Sequence, residues 1–321
     1  MSITRRAALA LPILAAPALA QVAWPERPVR IIVSFPGGST PDIAARALAT
    51  HLQQAFGQPF VIDNRAGGGG TIGAEAVARA NDGHTLGVTI GGPGSIAKIL
   101  NPALGYDPTS DLVPVSLLAR MPFVLAVNQG VPVRSVAELI AYARANSGRL
   151  NYGSVGAGST GHMLVAEMAA RHGLEMTHVP FRSVPQSVTE IVAGRIELMA
   201  AAAGAVLGQA RAGQVRPLAV SGDARMAQLP EVPTLTEAGE PGAGIYAWIG
   251  LFAPPGTPAE RVARLAQEAG RALSSPETGR TLEAAGFEPL GSPPPVLQAL
   301  IRAEVAHWGP IIQRLNIRPE S

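Results

Sequence analysis

The chain has 321 residues, 47% of them hydrophobic, which is more than one compact core usually holds and favours two lobes. Cysteine is absent, and this excludes disulfides, thiolate metal sites and a cysteine nucleophile. Removing Arg5 and Arg6 with a predicted leader lowers the Lys and Arg total from 25 to 23, equal to the 23 Asp and Glu, so no basic excess indicates nucleic-acid binding.

The first twenty residues have the three parts of a secretory signal peptide in order. Arg5 and Arg6 precede an apolar run over 7–16, and small residues at 18–20 form a cleavage site. We therefore predict an exported, periplasmic protein whose mature chain begins near Gln21, and the paired arginines also permit twin-arginine export. The apolar run is too short to span a bilayer and no other segment has membrane length, which predicts no stable membrane insertion.

The first predicted strand, Val29–Val33, leads into the first glycine loop, which we define as residues 36–41. Ser39 or Thr40 is placed to cap the following helix, with Pro41 in its first turn. Glycine amides that turn inward, together with a helix N-terminus, form a site for an anion of carboxylate size. The alternative is that the segment is only the turn that any α/β unit requires.

Two further strand–loop–helix units follow. A strand over 60–64 precedes the glycine-rich segment 65–73, and a strand over 85–90 precedes the Gly91 turn, defined as residues 91–95. This βαβαβ order predicts a parallel sheet wound by helices, with all three loops on the edge where such sheets bind ligands. Four successive glycines at 67–70 indicate either close backbone approach or slack, and the sequence leaves both open.

A second lobe is predicted after two neighbouring apolar strands over 112–118 and 123–128. Ser135 caps a helix over 136–146, and a strand over 151–155 leads to the second glycine loop, residues 156–161, which opens a helix over 163–171. This loop repeats the first anion device with more amides and hydroxyls. The two copies together favour anion binding over an ordinary turn.

The remaining segments repeat the architecture and then return to the first lobe. We predict strands over 176–180, 196–201, 216–220 and 246–254, and helices over 186–193, 205–212, 259–273, 276–285 and 294–315. The predicted division is residues 1–20 for the signal peptide, 21–122 and 250–321 for the first lobe, and 123–249 for the second.

Enzymatic chemistry has weak support in the sequence. Residues 156–161 match G-x-G-x-x-G. In a dinucleotide site the next strand should end in an acid that holds a ribose, but this strand has Thr177 and His178 instead. No G-x-S-x-G elbow accompanies Ser154 or Ser159, and the six histidines have no metal-ligand spacing. We predict no metal, no cofactor and binding without catalysis. A cofactor-dependent or hydrolytic α/β enzyme is the alternative.

Motifs along nearly the whole mature chain resemble the Bug-type periplasmic receptors, the substrate-binding proteins of tripartite tricarboxylate transporters. They are residues 24–33, 35–39 with Asp42 and Arg46, 57–59 with 64–67, 101–104 with 106–108, 152–154 with Gly158 and His162, 229–234 with 237–239, and 248–258.

The resemblance implies a two-lobed type II periplasmic-binding fold of α/β class, with a mainly parallel, doubly wound sheet in each lobe and a ligand cleft between them. It implies a monomer that captures a small mono-, di- or tricarboxylate and presents it to membrane transporter subunits or a sensor. The ligand-binding positions it implies, together with those of the glycine loops, are Phe35, Gly37, Gly38, Ser39, Thr40, Asp42, Gly91, Gly92, Ser154, Gly158, Ser159, Thr160, His162, Phe181, Arg182 and Ala201.

Two positions depart from the family pattern. Ala201 stands where many members carry an acid that meets a ligand amine, which disfavours an amino-acid ligand. Arg182 stands in a segment that usually reads Tyr-Lys-Gly-Ser, so it is either an additional carboxylate contact or a solvent-facing side chain. For His162 the residues favour a partner of loop carbonyls or a donor lining the cleft over a catalytic base.

Overall fold

A computed structural model describes residues 24–241 and 244–318. The predicted leader, residues 1–20, lies outside this range. The described residues form ten strands: β1 (Val29–Val33), β2 (Phe60–Asn64), β3 (Thr85–Ile90), β4 (Val113–Asn128), β5 (Leu150–Ser154), β6 (Met176–Pro180), β7 (Leu198–Ala202), β8 (Val215–Val220), β9 (Tyr246–Ala253) and β10 (Glu288–Pro289).

Ten α-helices accompany these strands in the described part of the chain. They are α1 (Thr40–Phe56), α2 (Thr71–Ala78), α3 (Ala97–Leu100), α4 (Val136–Ala145), α5 (Thr160–His172), α6 (Val184–Val192), α7 (Ala203–Arg211), α8 (Ala259–Leu273), α9 (Pro276–Ala284) and α10 (Pro294–Arg314). A π-helical segment, Gly92–Ile96, leads into α3. None of these helices combines the length and apolarity needed to cross a bilayer.

The strands form one mixed sheet in the order β2-β1-β3-β9-β4-β7-β5-β6, and β8 and β10 also pair with β4. Strand β1 lies between β2 and β3, and β5 lies between β6 and β7, with parallel pairing in each case. We call the part around β1 the first half of the sheet and the part around β5 the second half. Each half therefore contains a three-stranded parallel unit, as the predicted α/β fold requires.

Strand β4 connects the halves and corrects one prediction. The sequence indicated two strands with a break over 119–122, but those residues pair with 246–249 of β9 and continue the strand. The C-terminal part of β4, residues 123–128, pairs with β7 and β8 instead. Register shifts near Pro114, Leu117 and Leu125 interrupt the pairing locally without ending the strand.

Strand β9 pairs with β3 and with the N-terminal part of β4, both in the first half. The predicted lobe boundary between residues 249 and 250 falls inside this strand, and the division into lobes stays a prediction.

Buried side chains support each half, and a further cluster joins the halves. One core packs α1 and α8 on the first half, whereas separate cores fill the two faces of the second half. A seam cluster then brings together Ile96 of the first half, Met163 of α5 and Trp308 of α10. This seam lies close to the second glycine loop, because a Cβ atom on Gly158 would stand 2.7 Å from the Leu100 side chain.

Candidate functional site

The two glycine loops follow equivalent strands. The first leaves β1 and enters α1, and the second leaves β5 and enters α5. Both helices begin with a Ser at the N-cap and a Thr at the first helical position, which are Ser39 and Thr40 in α1 and Ser159 and Thr160 in α5. The predicted repeat of a strand, a glycine loop and a helix is therefore present. The Ser159 side chain caps α5 as predicted, but Ser39 makes no side-chain cap on α1, because its hydroxyl donates to the Pro36 carbonyl instead.

Asp42 binds the first glycine loop through its buried carboxylate. Its side chain is 2% exposed, and its Oδ2 atom accepts hydrogen bonds from the Gly38 amide at 2.8 Å and from Arg46 Nε at 2.9 Å. Oδ1 accepts a third bond from Asn64 Nδ2 at 2.9 Å. Burial alone would raise the pKa of Asp42, but these donors outweigh it and hold the pKa below its ordinary value. Asp42 and Arg46, four residues apart on α1, thus form an ion pair, and the carboxylate is occupied within the protein.

The 65–73 segment packs against Ser34 and Phe35, just before the first glycine loop, and against the Gly91 turn. A Cβ atom on Gly70 would lie 2.8 Å from the Phe35 ring and 2.9 Å from Pro93, and one on Gly73 would lie 2.6 Å from the Ser34 Cα. Gly69, in contrast, has open space around it. Both alternatives for the glycine run therefore hold, at different positions: Gly70 and Gly73 permit close approach, and Gly69 is not constrained by neighbours.

The second glycine loop is hydrogen-bonded to serine and histidine side chains. Ser159 accepts a hydrogen bond from the His162 amide, and the Gly158 amide donates to His162 Nδ1 at 3.1 Å. Ser154 Oγ lies 3.1 Å from both the amide and the carbonyl of Gly156, and 2.7 Å from His178 Nε2. His162 therefore accepts a hydrogen bond from a loop amide. The sequence alternative in which His162 bonds a loop carbonyl does not describe this contact.

Three aromatic rings pack beneath this loop. The ring centroids of His162 and His178 are 4.1 Å apart, and Tyr152 lies 5.9 Å and 5.1 Å from them. Desolvation, assisted by His178, lowers the pKa of His162 to about 4, so this ring is neutral at pH 7. Because Nδ1 accepts the Gly158 amide, the proton of the neutral ring is on Nε2.

Close packing also constrains the start of α5. A Cβ atom on Gly161 would collide with the carbonyl oxygen of Ala200 in β7. Among the described residues, no acceptor is assigned to the amides of Thr160 and Gly161 or to the hydroxyls of Thr40 and Thr160. These groups are hydrogen-bond donors at the two helix starts, and helix starts of this kind suit anions.

The Gly91 turn rests on a buried carboxyl group that the sequence did not reveal. Glu304 of α10 accepts from Trp248 Nε1 at 2.8 Å, and its other oxygen lies 2.6 Å from Ser95 Oγ, which is itself 2.5 Å from the Gly91 carbonyl oxygen. Ser95 has one hydroxyl proton, so both short contacts are hydrogen bonds only when Glu304 is protonated and donates. Burial raises the pKa of Glu304, in agreement with this.

The predicted site residues divide into accessible and buried positions. The accessible or half-buried ones are Phe35, Gly37, Gly38, Ser39, Thr40, Gly91, Gly92, Ser159, Thr160, Phe181 and Arg182. The buried ones are Asp42, Ser154, Gly158, His162 and Ala201. In the second set, Asp42, Ser154, Gly158 and His162 already have hydrogen-bond partners within the protein.

Residues near the start of α6 and the end of β7 border a cavity between the sheet halves. Val184 and Ala202 line it together with Thr40, so the first glycine loop and the second half share this space. Ala201 instead packs in the core of the second half, and its half-buried neighbour Ala202 faces the cavity. Arg182 is exposed, and among the residues that the structure describes only its backbone amide has an assigned partner, Gln186 Oε1.

Three residues near the site were not predicted from the sequence: His178, Ala202 and Glu304. His178 stands opposite Tyr152 in the parallel register of β5 and β6, so strand pairing would have revealed it. Ala202 differs from the predicted Ala201 by one position, and in a strand one position exchanges the two faces. Glu304 comes from a helix more than 200 residues from Ser95, and no local pattern announces it. No cluster of metal ligands occurs among the residues described.

Comparison with known proteins gives a consistent result. Residues 44–317 match the model of the tripartite tricarboxylate transporter family receptor, TctC. Among solved structures, Rpa4515 of R. palustris with adipate has a TM-score of 0.80 and 37% sequence identity. The match covers 92% of this chain and 100% of the Rpa4515 chain. MatC from Rhodopseudomonas palustris with bound malate has a TM-score of 0.77 and 33% identity, covering 90% and 100%. The periplasmic binding protein BugD has a TM-score of 0.77 and 28% identity, covering 92% and 99%. The resemblance to Bug-type receptors is confirmed.

Proposed function

Because the chain belongs to the tripartite tricarboxylate transporter receptor family, we propose that it is a periplasmic receptor that captures a small organic carboxylate between its two glycine loops. The family is one of receptors, and the adipate and malate found with two similar structures give the ligand its chemical class. The ligand is bound and released without chemical change.

One observation carries the proposal. In each half of the sheet, a glycine loop ends in an identical Ser-Thr pair at the start of a helix, and the Thr hydroxyls of both pairs have no assigned partner in the described residues. A helix start combines free amides with the positive end of the helix dipole. Two helix starts can therefore bind one carboxylate without a cationic side chain. Thr40 and Thr160 are accordingly proposed as direct contacts.

The other predicted positions take two roles in this proposal. Phe35, Gly37, Gly38, Ser39, Gly91, Gly92, Ser159, Phe181 and Arg182 border the ligand, whereas Asp42, Ser154, Gly158 and His162 hold the loops in the required shape. The bound anion favours a closed arrangement of two lobes, since its donors come from both halves of the sheet. A ligand that shifts such an equilibrium from 1:99 to 99:1 must prefer the closed state by about 5.5 kcal/mol.

The proposal includes the route and the partners. A leader over residues 1–20 directs export by the general or the twin-arginine pathway and is then removed, and the receptor acts as a monomer. Its loaded form is presented to membrane transporter subunits or to a sensor.

A matched pair of substitutions tests the site. Thr40→Val and Thr160→Val each remove one hydroxyl while keeping the side-chain shape, and each is expected to weaken carboxylate binding about tenfold, because a hydrogen bond to a charged group is worth about 1.5 kcal/mol or more. Thr281→Val is the control, since that hydroxyl donates to the Glu277 carbonyl within α9. Calorimetry with adipate and malate provides the measurement. Affinities unchanged in both loop variants would refute the site, and no binding of any carboxylate would refute the function.

A further inference from the structure

A cavity of about 760 Å³ lies between the two halves of the sheet. Thr40, at the end of the first glycine loop, borders it from the first half together with Met121 and Phe287. One face of α6 and the first turns of α7 border it from the second half. Small-molecule pockets have volumes of roughly 300–1,000 Å³, so this one has room for a ligand considerably larger than malate.

The cavity wall is uncharged. None of the described residues that line it is Asp, Glu, Lys, Arg or His, and its polar side chains are limited to Thr40, Thr189, Gln209 and Gln214. Most of the remaining surface comes from aliphatic side chains such as Val184 and Val188. The donors of the glycine loop are therefore next to a space in which apolar groups predominate.

This arrangement discriminates between two kinds of carboxylate. A second carboxylate placed in the cavity would lose water without gaining a cationic partner, which opposes binding. An alkyl or aromatic body would instead bury apolar surface, and each buried CH₂ group increases affinity about fourfold, equivalent to ~0.8 kcal/mol.

We propose that this cavity receives the uncharged body of the ligand, and that the receptor prefers monocarboxylates with a long aliphatic or aromatic body over short di- and tricarboxylates. The inference rests on the proposed function, since the glycine loops must hold the carboxylate for its body to enter the cavity. It adds the substrate class, which neither the loops nor the family determines.

Calorimetry on the mature chain tests this with two series of acids. Saturated monocarboxylates from butanoate to octanoate form the first series, and dicarboxylates of the same carbon number form the second. Affinity should rise about fourfold per CH₂ in the first series, on the order of 100-fold from butanoate to octanoate. Octanoate should bind at least tenfold more tightly than suberate, which differs only in its second carboxylate.

A matched pair of variants ties the preference to the cavity. Ala205 lines it and Ala210, on the same helix, does not, although both are half-buried against the same core. Ala205→Phe should lower octanoate affinity at least tenfold while changing butanoate affinity less than twofold. Ala210→Phe should leave both affinities within twofold of the unsubstituted chain.

The outcomes separate the two proposals. Affinity that does not depend on chain length, or equal effects of A205F and A210F, would overturn the cavity assignment while leaving carboxylate capture intact. Tighter binding of dicarboxylates that Arg182→Gln abolishes would place a second carboxylate at the start of α6 and would also overturn it. Absence of binding by every acid in both series would refute the proposed function and this inference with it.

Discussion

The first and second glycine loops differ in the chemistry that supports them, although each follows the middle strand of a parallel unit. Beneath the first loop, an ionised Asp42 gathers three donors, one of them the guanidinium of Arg46. Beneath the second, the neutral ring of His162 accepts from the Gly158 amide, Ser154 accepts from the Gly156 amide, and Gly161 packs against β7. Similar sequence signals thus produce one loop that depends on charge and one that depends on packing and on neutral imidazole.

The largest effect expected from this difference is steric. Gly161→Ala places a Cβ atom on the Ala200 carbonyl, whereas Gly37→Ala meets only Asn64 Oδ1 at 3.8 Å. Neither glycine has a positive φ angle, so close contact is the distinguishing factor. We expect G161A to lower the free energy of unfolding by about 3 kcal/mol and G37A by less than about 1 kcal/mol, measured by urea denaturation. Equal losses would show that the loops tolerate side chains alike.

Removing the charge support is expected to have the next largest effect. Asp42→Ala leaves the Gly38 amide without its acceptor and Asn64 Nδ2 with only the Phe35 carbonyl, which should cost about 2–3 kcal/mol of unfolding free energy. Arg46→Gln is the control, because its side chain is 57% exposed and such pairs contribute about 1 kcal/mol or less. A larger loss in R46Q than in D42A would contradict the role given to Asp42.

Acid should affect the second loop through His162. Its folded pKa of about 4 lies below the ordinary value of 6.5, so the folded state binds fewer protons between these values. Stability from this group is therefore complete above pH 6.5 and decreases as the pH falls towards 4. His162→Asn keeps an acceptor near Nδ1 that does not titrate, and it should flatten this part of the pH profile. Parallel profiles of H162N and the unsubstituted chain over pH 4–7 would argue against a neutral imidazole support.

The smallest effect is expected at the Gly91 turn, which resembles the second loop in having neutral support. The raised pKa of Glu304 means that its contribution is complete below pH 4.5 and is lost as the pH rises through the folded value. Glu304→Gln keeps a donor for Ser95 and an acceptor for Trp248, so its stability at pH 8 should equal or exceed that of the unsubstituted chain. Marked destabilisation of E304Q at pH 8 would indicate an ionised carboxylate instead.

Much of this contrast was beyond prediction from the sequence. The glycines, the helix starts at Thr40 and Thr160, and the Asp42–Arg46 pair come from local patterns, because turns, caps and contacts four residues apart on a helix depend on neighbouring residues. The merger of two predicted strands into β4 depends on pairing with β9, more than 100 residues away.

The same limit applies to the supports of the site. His178 and Glu304 reach the loops through strand register and helix packing, which no single segment encodes. The exchange of Ala201 for Ala202 at the cavity has the same origin, since the alternation of faces needs an exact register.

Both glycine loops are proposed to hold one anion, and a crystal structure of the mature chain with a bound carboxylate would test this. We expect the oxygens of one carboxylate to lie within about 3.2 Å of donors at Thr40 and Thr160, or to share one bridging water with them. A carboxylate bound to one loop alone, with the other loop facing solvent or protein, would contradict it.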